Sequence, residues 1–177
     1  MIFLMRHGAD DPNRLGGWSD CSLSEEGVRQ VHAAKGMLLG KGIECVYASD
    51  LRRAKETAEI VAAYLNLPVL YRKEFREVNN GLLAGIPKAE ARERFPGIYW
   101  SALEWTQAYP EGESPAVFFA RIETAWRTWK TEVQDRTVLL VSHCGVINTI
   151  LCIENGIAYT NREMRYRIEH AGIVCIP

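Results

Sequence analysis

Two short apolar runs, Ile2–Met5 and Val138–Val141, end in the same way. Each passes through one polar residue, Arg6 or Ser142, to a histidine, His7 or His143. Runs this short with no polar face suit strands covered on both sides, as in a parallel sheet. Open α/β sheets gather their ligands at the carboxyl ends of strands, so both histidines are expected on one sheet edge. Gly8 lets the backbone turn sharply or lets a ligand come close. Arg6 carries a planar fork of donors suited to phosphate, and a neutral imidazole is a nucleophile. One such strand end reads as chance; two matching ends point to one shared site.

The remaining chain alternates helix and strand signals. Ser24 caps a helix through Val28, Val31, Ala34 and Leu38, which stops at Gly40 and Gly42. Ile43–Ala48 reads as a strand, and Ser49-Asp50 as the cap of a helix from Leu51 to Leu65, closed by Pro68. Val69–Tyr71 is a short strand, and Phe75–Gly81 a loop holding Glu77. Helical pieces are expected over about 87–95 and 98–107, then a long helix capped by Ser114, a helix over Val146–Ile153, and strands over about 164–168 and 172–176. The order predicts a three-layer α/β/α fold with a mostly parallel sheet. With no repeat or linker, residues 1–177 are expected to form one domain.

Composition narrows the function classes. The formal net charge of −1 gives no reason to expect a nucleic-acid or anionic-membrane surface. The N-terminal apolar run is too short to span a bilayer and lacks a cleavage pattern. The 5 cysteines are odd in number and include no C-x-x-C pair, which favours reduced thiols in a cytoplasmic protein over disulfides or zinc. No P-loop, H-E-x-x-H or G-x-S-x-G motif is present.

Several blocks, in order, resemble the histidine phosphatase superfamily, also called phosphoglycerate mutase-like, over nearly the whole chain. They are Leu4-Met5-Arg6-His7-Gly8, Asn13, Arg14–Asp20 with Leu23-Ser24 and Gly27, Ala48–Ala54 with Thr57-Ala58, Arg76-Glu77 with Gly81 and Gly85, Gly112-Glu113-Ser114, Arg121, and Val141-Ser142-His143. The resemblance implies the phosphoglycerate mutase-like fold and catalytic roles for His7, Arg6, Arg53, Glu77 and His143. It also implies substrate contacts from Asn13, Gly17 and Cys144. The chain departs from the family pattern at Ala9, where Glu is usual, and in a shortened loop before Arg14. It departs again at Cys144, where Gly is usual, and at His170, where Asn is frequent.

Phosphoryl transfer needs an in-line nucleophile, cationic donors for three equatorial oxygens, and a proton for the leaving oxygen. The resemblance assigns His7 as the nucleophile, forming a phosphohistidine that water hydrolyses. Arg6, Arg53 and His143, the last as an imidazolium favoured by the phosphate, are the clamp. Glu77 is the general acid and later the base, with Asp10 and Asp11 as rival acids. The expected activity is hydrolysis of small-molecule phosphomonoesters with no metal and no cofactor. Alternatives are a phosphoglycerate mutase sharing the first step, a non-catalytic phospholigand-binding module, and a cysteine hydrolase using Cys144. The chain ends soon after its last strand, without the extra segments of the mutases, which favours hydrolysis. A phosphotyrosine-phosphatase pattern wants Arg six residues after the cysteine, where Ile150 stands.

The segment Ile98–Tyr109 occupies the place of the family's lid. It contains Tyr99, Trp100, Trp105 and Tyr109 and no Lys or Arg. Trp18 is expected to join these rings, and at least two of them to pack the lid onto the body. The expected substrate is a monophosphate with an aromatic or nucleoside-like group, such as α-ribazole phosphate.

Overall fold

The computed structural model describes residues 1–177. Five strands form one sheet: β1 (Ile2–Arg6), β2 (Cys45–Ala48), β3 (Val69–Tyr71), β4 (Val138–Ser142) and β5 (Ile173–Ile176), in the order β3-β2-β4-β1-β5. All neighbours are parallel except β5, which runs antiparallel to β1. Five α-helices cover it: α1 (Glu25–Ala34), α2 (Arg52–Leu65), α3 (Lys88–Arg94), α4 (Pro115–Glu132) and α5 (Cys144–Glu154). The α/β fold with a mostly parallel sheet is the one expected.

Strand alternation divides the core into two halves. Phe3, Met5, Val46, Ala48, Leu139 and Val141 pack on the α1–α2 face. Ile2, Leu4, Tyr47, Val138 and Leu140 pack on the other face, with Phe118, Ile122 and Trp126 of α4 and Ile147 and Ile150 of α5. Successive side chains of a strand point to opposite faces, so a central strand covered on both sides has no polar position to offer. That is why the runs at 2–5 and 138–141 are unbroken.

Caps fix the helix starts. Ser24 accepts from Gly27 N, and Ser114 from Val117 N, with Pro115 in the first turn. At α2 the expected cap is absent. Leu51 holds the cap position without a side-chain bond, because Ser49 is turned toward His143 and Asp50 is paired with Arg76. The helix ends at Asn66, which takes the left-handed conformation (φ 55°) before Pro68.

Two expected elements do not form. The 98–107 segment holds a single 3₁₀ turn, Trp100–Ala102. Its carbonyls are satisfied from outside: Asn161 Nδ2 donates to Trp100 O and Leu103 O, and Arg162 Nη1 to Ser101 O. Residues 164–168 form no strand, and β1 pairs with β4 and β5. Instead the segment crosses the sheet's carboxyl end, where Tyr166 N donates to Asn148 Oδ1 and Ile168 O accepts from Arg6 Nη1. No helix is long and apolar enough to cross a membrane.

Candidate active site

Strand register brings the two histidines together. Arg6 pairs with Ser142 across β1 and β4, so His7 and His143 are the next residue on each strand. His7 N donates to Ser142 O at 3.0 Å, and the two rings lie 5.1 Å apart, centroid to centroid. Both side chains are buried.

Hydrogen bonds fix the state of His7. Arg53 Nε can only donate, and it donates to His7 Nε2 at 3.2 Å. Nε2 therefore bears a lone pair, and the proton sits on Nδ1, which donates to Gly8 O at 2.6 Å. Burial, then the charge of Arg53, pushes the His7 pKa well below 6.5. The ring is thus neutral through the neutral pH range, with its lone pair facing a guanidinium.

Arg53 is fully buried and held on several sides. Nη2 donates to Gly17 O at 2.8 Å, Nη1 to the carbonyl and hydroxyl of Ser19 at 3.3 Å each, and Asp10 Oδ2 lies 3.4 Å from Nε. Arg52 instead faces solvent and pairs with Glu56. Gly17 meets Arg53 through its carbonyl; it has φ 56°, and a Cβ there would collide with Asn80.

His143 Nε2 lies 2.8 Å from Ser49 Oγ, while its Nδ1 is buried without a partner. The expected imidazolium is the state favoured by bound phosphate; the ligand-free ring is the other state. Burial, followed by the charge of Arg53, lowers its pKa well below 6.5. The ring is neutral here, and its charged form requires an anion to offset those costs.

Glu77 arrives from the loop after β3. Its carboxyl oxygens accept from Val78 N at 3.0 Å and from Gly145 N, in the first turn of α5, at 3.1 Å. A Cβ on Gly145 would stand 2.5 Å from Glu77 Oε1, so this glycine makes room for the acid. Of the rival acids, Asp10 is paired with Arg53, and Asp11 is exposed beside Arg14.

The loop is braced by residues for which the sequence suggested no task. Arg121 forks onto Glu113 at 2.7 and 2.9 Å and also donates to the carbonyls of Glu74, Arg76 and Glu77. Glu113 accepts in turn from Asn79 N. Their sequence signal is their place in the family blocks; a charged pair eight residues apart across a helix start has no local meaning. Trp18 does not join the lid: its Nε1 donates to Glu77 O at 2.7 Å, and Arg76 stacks on its ring.

Two expected substrate contacts, Asn13 and Cys144, make other bonds in this structure. Asn13 lies on an exposed turn, where its amide donates to Asp11 and its carbonyl accepts from Lys88. Cys144 opens α5, with its thiol directed at Met164 and Ile168 O. His170, in contrast, lies beside the nucleophile, its ring centroid 5.7 Å from that of His7.

The model of the histidine phosphatase superfamily (branch 1) matches residues 2–176. The chain belongs to the histidine phosphatase superfamily. It is therefore an enzyme of the phosphoric monoester hydrolase class, as its residues led one to expect. Among curated relatives, the "Probable phosphoglycerate mutase GpmB" of Yersinia pestis is 30% identical over 173 residues, covering 94% of this chain and 80% of the relative. A mycobacterial glucosyl-3-phosphoglycerate phosphatase superposes with a TM-score of 0.81 at 27% identity, covering 97% of this chain and 87% of that one. The α-ribazole phosphatase of Shigella flexneri superposes with a TM-score of 0.84 at 23% identity, covering 97% and 87%; that likeness is one of fold.

The Gly145–Glu77 contact yields a prediction that separates stability from chemistry. Gly145→Ala replaces a poor helix former by the best one, worth up to ~1 kcal/mol in a helix, and its Cβ meets only the end of a flexible side chain. The variant should keep or raise its Tm and yet lose about tenfold in kcat on alkyl phosphates, because the acid is displaced. Thermal melts and steady-state rates on the same preparation check this.

Proposed function

We propose that this histidine phosphatase hydrolyses small phosphate monoesters through a phosphohistidine on His7, without a metal ion. The observation that carries the reading is the fixed tautomer of His7: Nδ1–H is tied to Gly8 O, and the Nε2 lone pair faces Arg53. A phosphoryl group arriving there finds a nucleophile that needs no deprotonation.

The steps follow from the residues. Phosphoryl oxygens take up donors of Arg53 and Arg6, and the unpartnered Nδ1 of His143 supplies a further N–H once the anion is present. His7 Nε2 attacks phosphorus in line, the P–N bond forms, and the bond to the leaving oxygen breaks as Glu77 gives that oxygen a proton. Glu77, now a carboxylate, takes a proton from water. The water oxygen attacks phosphorus, the P–N bond breaks, and orthophosphate leaves with His7 restored.

The lid supports a monophosphate substrate. Trp100 stacks on buried Tyr109 at 6.0 Å and packs edge-on against Phe118, while Trp105 meets Phe119 and Tyr159. These rings fix the lid to α4, and Tyr99 is left 60% exposed. Burial, then the nearby Glu77 charge, pushes the Tyr109 hydroxyl up to about 12, so it stays a neutral donor. Of the three candidates for a second phosphate clamp, Arg14 bonds Gly85 O and Asp11, and Arg94 pairs with Glu90, while Arg92 is exposed and has no ion pair.

One screen tests the reading. Phosphorylated metabolites are assayed with and without EDTA, following phosphate release and isomerisation separately. Release should survive chelation. An aryl or nucleoside monophosphate should exceed fructose bisphosphate by at least about tenfold in kcat/KM. Loss of activity restored by Mg²⁺ or Zn²⁺ counts against the mechanism, net isomerisation of phosphoglycerate favours the mutase, and a preference for the bisphosphate overturns the lid argument.

A further inference from the structure

His170 stands within reach of the nucleophile and has no part in the steps above. Its Nε2 lies 2.7 Å from Arg6 Nη2, and Arg6 Nη1 donates to Ile168 O at 2.8 Å. Arg6 Nε is buried and has no partner. The local backbone holds His170 in place: Ala171 N donates to His7 O, Gly172 O accepts from Arg6 N, and Ala171 takes a left-handed conformation (φ 57°).

Arginine can only donate, so His170 Nε2 must accept, and the ring is the neutral Nδ1–H tautomer. A neutral acceptor has a consequence that a carboxylate in this place would not have. It fixes the plane of the guanidinium while leaving its charge uncompensated. Leaving a buried guanidinium N–H unpaired is costly, and an anionic oxygen at the site would satisfy it.

Resting on the phosphatase reading for the identity of the anion, we propose that His170 is a positioning residue for Arg6. Its Nε2 lone pair holds Nη2, so that the unpaired Nε stays available to a phosphoryl oxygen beside His7. The carboxamide of glutamine places its oxygen about where Nε2 stands. Asparagine, which is a bond shorter, does not, so the glutamine variant is the conservative replacement.

The test uses orthophosphate binding to the full-length protein by calorimetry, with ring ¹⁵N NMR on the wild type. His170→Leu should weaken orthophosphate binding by about tenfold, and His170→Gln should return it to within about threefold of wild type. The NMR spectrum should show His170 neutral with its proton on Nδ1. Wild-type affinity in His170→Leu, no recovery in His170→Gln, or a proton on Nε2 in the neutral ring overturns the inference. Because binding is read without turnover, a wild-type protein that binds orthophosphate but hydrolyses no ester counts against the phosphatase reading alone. The Leu–Gln contrast still decides the role of His170.

Discussion

His7→Ala should abolish turnover, with a fall on the order of 10⁴-fold or more, as expected when the covalent step itself is removed. The folded state should persist. His7 is buried, but its ring bonds only Gly8 O and Arg53, and Arg53 keeps Gly17, Ser19 and Asp10 as partners. Wild-type protein quenched during turnover should carry phosphate that is acid-labile and base-stable, as on an imidazole nitrogen, and His7→Ala should carry none. The pH profile belongs to the same prediction. Protonation of His7 removes the lone pair, and its folded pKa is lowered well below 6.5. The acid limb of kcat/KM that belongs to this group therefore lies below pH 6.5, and activity is undiminished by it above that value. A wild-type rate in His7→Ala, or phosphate stable to acid, would reassign the nucleophile.

The second large effect is at Glu77. A general acid contributes ~10²–10⁴-fold, and Glu77→Gln should lose that on alkyl phosphates, whose leaving oxygen needs a proton. On an activated aryl phosphate, whose leaving group departs as an anion, the loss should be much smaller. The substitution preserves the acceptor for Val78 N or Gly145 N, so the loop should stay in place and the contrast should report on the proton. Equal losses on both substrates would make Glu77 a structural residue and move the search to Asp10, which already touches Arg53. Gly145→Ala provides an internal control, since it disturbs the same carboxylate from the opposite side.

What the sequence determined by itself was local or periodic. Unbroken apolar runs at 2–5 and 138–141 mark strands buried on both faces. Because parallel neighbours share a direction, His7 and His143 had to emerge on one edge. Ser24 and Ser114 announce their helices through bonds made within three residues. Glu77 and Arg53 were legible through resemblance, since nothing local distinguishes Glu77 from a solvated loop acid or Arg53 from Arg52. Only the tertiary structure decided the rest, wherever a group's partner lies far along the chain. Asn161 and Arg162 satisfy lid carbonyls some sixty residues away and so remove an expected helix. Ser49 turns to His143 and leaves α2 uncapped. Arg121 and Glu113 brace the Glu77 loop through bonds that have no periodicity. Burial lowers the pKa of both histidines, so that His143 is neutral until an anion arrives. His170, 164 residues beyond Arg6, becomes its hydrogen-bond acceptor because β5 returns antiparallel to β1. Spacing along a chain cannot encode that contact, since the register of the assembled sheet is what creates it.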